Sequence, residues 1–139
     1  MTTSDSPFLT ALQAALAGEH AAVWACGRAA GELSGRRRDA ARRELDAHRR
    51  TRDELRQQVG AIGADPVEAA AAYVEPFAVE GASGGRRLLA HVNSALGATY
   101  ADLAAATPPA ARREAVTRST AAAVRALDWG AQPEAFPGQ

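Results

Sequence analysis

The placement of its breaks constrains this chain more than anything else in it. Four Ala- and Leu-rich stretches are separated by a tight break at Ser34-Gly35, a long break over residues 63–83, and a tight break at Thr107-Pro108-Pro109. A connection of a few residues folds two helices into an antiparallel pair. A connection of about 20 residues inside a compact domain needs a purpose. Running the length of a bundle is one, because extended chain covers about 3.4 Å per residue and a 25-residue helix is only about 38 Å long. The pattern predicts an all-α four-helix bundle: two antiparallel hairpins joined by a long crossover.

The expected helices cover residues 7–33, 36–62, 84–106 and 109–129, with an extended tail over 130–139. Ser6-Pro7 has the residue types of a helix start, and Gly63 those of a helix end. In the first helix Leu9, Leu12, Leu16, Glu19, Val23, Cys26, Ala30 and Leu33 alternate three and four apart, the spacing of a bundle seam. In the second the seam is Ala41, Leu45, His48, Arg52, Leu55, Val59 and Ile62. Ser83 is the expected cap of the third helix, whose seam is Leu89, Val92, Leu96, Thr99 and Leu103. That of the fourth is Val116, Thr120, Ala123, Val124 and Leu127. Ala69 to Tyr73 is expected to form a short helical turn within the crossover. Phe136 is expected to tuck against the bundle.

Composition excludes more than it assigns. All 139 residues fit one domain. The 16 basic residues are all Arg and are balanced by 16 acidic ones, so no general attraction to nucleic acid or to a membrane surface is expected. There is one cysteine, Cys26, which forbids an internal disulfide or a CxxC metal site. No apolar run reaches 18 residues, and the N-terminus lacks the basic start and apolar stretch of a signal peptide. A cytoplasmic protein is the expectation.

Counting equal distances from the Ser34 turn places Glu19, His48 and Arg52 at one height inside the bundle. A buried carboxylate must be paired, neutralised or bound to metal. Glu19 is expected to pair with Arg52 or His48 and fix helix register. Two other readings compete: a reduced metal site at Glu19 and His48, or side chains that snorkel to solvent. A di-iron carboxylate bundle needs a Glu from each of two helices and a Glu-x-x-His from each of the other two. The position three before His48 is Leu45, helix 3 has no Glu, and helix 4 has only Glu114. No metal and no other cofactor is therefore expected. Glu44 and His20 are read as lying off the seams.

Trp24 and Tyr100 fall beside the seams and are candidate contacts for the crossover or a second subunit. Tyr73 and Phe77 are expected to anchor the crossover. Gly84-Gly85 has the look of a loose anion site at a helix start. The clusters Arg36-Arg37-Arg38 and Arg112-Arg113 also open helices, where cations are unfavourable, so an anion or an acidic partner is one reading of them.

Five segments together carry a resemblance to a known family: Glu19-His20-Ala21-Ala22-Val23-Trp24-Ala25, His48-Arg49-Arg50-Thr51-Arg52-Asp53, Ala72-Tyr73-Val74-Glu75-Pro76-Phe77, Thr99-Tyr100-Ala101-Asp102-Leu103 and Phe136-Pro137-Gly138. The chain resembles the actinobacterial ferritin-like domain family of unknown function, from about Phe8 to Gly138. The resemblance implies the ferritin-like fold and no assigned activity.

The resulting expectation is a non-enzymatic helical module, a homodimer or a binder of a protein partner, with no di-iron site. The alternative is a metal-binding or redox enzyme built on Glu19 and His48. A third reading is a pocket between helices, where Glu19 and Arg52 orient a polar ligand.

Overall fold

The computed structural model describes residues 6–133. Four α-helices account for most of them: α1 (Pro7–Ala30), α2 (Gly35–Ala61), α3 (Gly81–Ala106) and α4 (Arg113–Asp128). A single 3-10 turn, Pro109–Ala111, precedes α4. There is no strand among the described residues.

Helices α1 and α2 fold back on each other around Ser34. Gly18 of α1 faces Leu96 of α3, and Gly85 of α3 faces Ala29 and Leu33. Residue numbers rise along α1 as they fall along α3, so these two are antiparallel, and α2 and α3 run in the same direction. Residues 62–80 make the crossover this requires. The fold is the hairpin–crossover–hairpin bundle that the breaks imply.

The crossover is held along one side of α1. Gln13 donates through Nε2 to Asp65 O at 2.7 Å, and its Oε1 accepts from Val67 N at 2.8 Å. His20 Nε2 is 3.0 Å from Val67 O; a carbonyl can only accept, so this nitrogen carries the proton. Trp24 stacks on Tyr73 with centroids 5.3 Å apart. Arg28 reaches Glu75 at 2.6 Å and Val79 O at 2.5 Å. Glu32 accepts from Gly81 N at 2.8 Å. His20, Trp24, Arg28 and Glu32 recur every four residues, one helix face. No helical turn forms over Ala69–Tyr73; Ala70 N donates to the Tyr73 hydroxyl at 3.2 Å, and the Tyr73 ring lies on Trp24 instead.

The breaks themselves follow local chemistry. Gly63 has φ +89°, and Ala64 N returns to Val59 O at 3.3 Å, the left-handed helix ending that glycine permits. The N-cap of α3 is Glu80 rather than Ser83. Gly84 and Gly85 are packing residues rather than an anion loop. A Cβ on Gly84 would lie 3.1 Å from the Val79 backbone, and one on Gly85 would lie 3.2 Å from Ala29 O.

The core is rich in leucine along α1 and α3, including Leu12, Leu16, Leu88, Leu89 and Leu96. Each fully buried leucine contributes roughly 1.5–3 kcal/mol. Two seams differ from expectation. On α3 the buried row is Leu89, Asn93, Leu96, Tyr100 and Leu103, so Val92 and Thr99 are displaced by their polar neighbours. On α4 the buried residues are Ala115, Ser119, Ala122 and Ala126. Val116, Val124 and Leu127 are 49%, 51% and 44% exposed. Small residues let α4 lie close on α3, where Ser119 Oγ donates to Gly97 O at 2.8 Å, and the large apolar side chains turn outward.

Candidate functional site

The centre of the bundle holds a buried polar network in which, among the described residues, Asn93 Oδ1 is left without a hydrogen-bond partner. Glu19 comes from α1, Glu44 and His48 from α2, Asn93 and Tyr100 from α3, and Trp129 from the end of α4. All are buried. Glu44 and His48 are four apart on one helix and share a face. The hairpin brings Glu19 opposite them.

His48 is clamped between two carboxylates. Its Nδ1 is 2.6 Å from Glu19 Oε2 and its Nε2 is 3.3 Å from Glu44 Oε2. Burial alone would push its pKa down, but the hydrogen bonds to Glu19 and Glu44 outweigh it and raise the pKa above the usual histidine value. An imidazolium donating from both nitrogens satisfies both carboxylates.

Tyr100 donates to Glu19 Oε1 at 2.5 Å. Burial, and then the Glu19 carboxylate, push the phenol up, so it remains a donor. Glu44 is the more heavily hydrogen-bonded carboxylate. Trp129 Nε1 donates to its Oε1 at 2.8 Å, and Asn93 Nδ2 and Cys26 Sγ reach its Oε2 at 3.0 and 3.3 Å. Burial opposes the charged form, but the bonds from His48, Trp129 and Asn93 overcome that and hold its pKa down at about 2. Cys26 is fully buried, and burial followed by Glu44 pushes its thiol far up, so it stays protonated.

Arg52 is not part of this network. Its Nε bonds Asp53 Oδ1 at 3.0 Å and its side chain is 23% exposed. Its long stem lets the guanidinium leave the interior for water. Tyr100 is likewise no interface residue, because its ring is buried in the core. Trp24 is half-buried beneath the crossover through Tyr73. Glu44, read as off the seam, is the most heavily hydrogen-bonded member of the network. The signal for it was its spacing of four from His48. His20, also read as off the seam, is buried and engaged by the crossover.

The donor set does not fit a di-iron centre. Such a centre needs carboxylates from all four helices. Here α3 supplies Asn93 and Tyr100, and the inner face of α4 supplies only alanines and Ser119. Cys26, Glu44 and His48 each offer one atom within 4.8 Å of the others, which is a geometry for one ion at most. The open space that reaches Glu19 beside Tyr100 and Arg118 is about 110 Å³, well short of the 300 Å³ or so from which small-molecule sites begin. No described helix is long and apolar enough to cross a membrane.

A family model described as a domain of unknown function (DUF4439) matches residues 11–139. The chain belongs to that family. A search of curated proteins gives no match. Among solved structures, the chain is similar to the crystal structure of a conserved hypothetical protein from Mycobacterium tuberculosis. The two share 28% identity and a TM-score of 0.84, over 90% of this chain and 96% of that one. The family assigns no activity, and so function has to come from the geometry.

Proposed function

We propose that this protein is a non-enzymatic helical module of the ferritin-like class, without a di-iron centre, that pairs with a second copy of itself through the outer face of α4. The observation that carries this reading is the inverted face of α4: alanine and serine inside, Val116, Val124 and Leu127 outside. A row of large apolar side chains in water is costly unless it is covered. The face also complements itself. Arg113 lies at its start and Asp128 at its end, with Ala121 near the middle. Two such helices laid antiparallel about Ala121 would oppose Arg113 and Asp128 at both ends and pack Val116 near Leu127, an isologous contact. One helix of about 24 Å buries a modest area, so the dimer is expected to be weak. A cytoplasmic setting is part of the proposal.

Sedimentation of the intact chain over a range of concentrations tests this. A monomer–dimer equilibrium is expected, abolished by Leu127→Glu without loss of helix content. A strictly monomeric particle at high concentration would overturn the reading.

One observation favours a second reading, a single divalent metal ion on Cys26, Glu44 and His48. The bond from Nδ1 to Glu19 fixes the ring with Nε2 aimed at Glu44, the way carboxylates orient ligating histidines. The metal would displace the protons of Cys26 and of His48 Nε2. Titration with cobalt would give a thiolate charge-transfer band, absent in Cys26→Ser, and failure to acquire one would end this reading.

A further inference from the structure

The end of the bundle where α2 and α3 begin carries more positive charge than its neighbours neutralise. Helix α2 opens with Arg36-Arg37-Arg38, and α3 carries Arg86-Arg87 in its second turn. Neither helix has an acidic residue in its first turn. The two helices are parallel, so both positive dipole ends lie together, where further cations are unfavourable. Among the described residues, Arg37, Arg86 and Arg87 form no ion pair with a carboxylate.

These three guanidiniums share one cleft of about 770 Å³ with His91. That volume lies within the usual range of small-molecule sites. Two aromatic residues form part of its wall and position the cations. The Arg87 guanidinium sits 3.9 Å above the Phe77 ring, and that of Arg37 lies 5.8 Å from the Trp129 ring. The Trp129 indole is itself pinned by its bond to Glu44, and Phe77 meets the His91 ring edge-on at 5.7 Å. Ser83 and Ser94 add hydroxyl groups, and Asp128 is the single carboxylate on the wall. Three cations against one anion leave the cleft positive.

We propose that this cleft is a binding site for a phosphate-bearing small molecule with a flat ring, of the nucleoside diphosphate class. Guanidinium forks match phosphate oxygens in a bidentate geometry, and serine hydroxyls donate to the remaining ones. A flat ring would take the place over Phe77 that the Arg87 guanidinium holds, freeing that cation for the phosphate. An anion seated here would also relieve the repulsion between the arginines and the two helix ends. The proposal rests on neither reading above, although the cleft shares Asp128 with the end of α4 and Trp129 with the buried network.

Calorimetric titration of the intact chain with ADP tests the proposal, with adenosine and inorganic phosphate as separate arms. Saturable binding of ADP is expected, weakening as salt is raised. The double variant Arg37→Ala, Arg87→Ala is expected to bind at least tenfold more weakly with an unchanged melting temperature, since both residues are exposed. No binding of ADP at millimolar concentration, or full affinity in the double variant, would overturn the proposal. Adenosine binding as tightly as ADP would refute the anion site. Inorganic phosphate binding as tightly as ADP would refute the ring contact, and with it the ligand class.

Discussion

Glu44 and Trp129 are 85 positions apart in the chain and meet at 2.8 Å, the indole N–H on the carboxylate. This bond ties the end of α4 to the middle of α2, two helices whose backbones are otherwise not in close contact. It joins the wall of the basic cleft, through the buried Trp129, to the centre of the bundle.

Removing Glu44 should therefore be severe. Glu44→Ala strands the donors of His48, Cys26, Asn93 and Trp129 and leaves His48 with one counter-charge. A loss of roughly 3–5 kcal/mol is expected. Trp129→Phe removes one donor and should lose about 1–2 kcal/mol. The two losses should be less than additive in the double variant, as read by urea denaturation.

Glu19 and Arg52 should behave differently although both were expected in the core. Glu19→Ala leaves His48 and Tyr100 without their acceptor and is expected to lose about 3 kcal/mol. Arg52→Ala removes an exposed pair with Asp53 and should change stability by less than about 1 kcal/mol. Equal losses would contradict a buried network that holds Glu19 and leaves Arg52 outside.

Stability should depend on pH in both directions from a common plateau. Glu44 is held at about 2, below its ordinary 4.5. Its contribution is present above 4.5 and is lost as pH falls toward 2. The His48 pKa is raised above 6.5, so its contribution is complete below 6.5 and is lost as pH rises through the folded-state value. Urea midpoints should thus be highest between about pH 5 and 6.5. His48→Gln should flatten the alkaline side, and an unchanged alkaline side in that variant would rule out the doubly bonded imidazolium.

Cys26 should be inert in the folded protein. It is fully buried, and its thiol is pushed far up, so little thiolate exists to react. Labelling with a thiol reagent should proceed only on unfolding, and its rate should rise with urea in step with loss of helix. Rapid stoichiometric labelling of the native chain would show that the thiol is accessible.

Some of this was legible in the sequence because a single feature decided it. The Ser34-Gly35 and Pro108-Pro109 breaks and the long gap between the hairpins allow one bundle topology. The Glu19–His48 juxtaposition follows from counting along that first hairpin. The α3 seam was ambiguous in a specific way. Leu89, Leu96 and Leu103 repeat every seven residues and are equally compatible with Val92 and Thr99 or with Asn93 and Tyr100 as the intervening members. The apolar choice fails because the carboxylates opposite require donors, and Asn93 and Tyr100 supply them. In α4 the same preference for large apolar residues picked the wrong face, since close packing on α3 selects small ones. Arg52 shares a helix face with His48, and position alone cannot say where a side chain of that length ends.

The small residues beneath α4 have a kinetic consequence. A helix seated on alanines and a serine forfeits little dispersion energy when it lifts away, whereas α1 and α3 interlock through leucines. Among the four helices α4 is then expected to detach first, its amides exchanging with solvent ahead of those of α1 and α3. Each such excursion would withdraw the Trp129 indole from Glu44, so that the buried carboxylate registers the departure of α4.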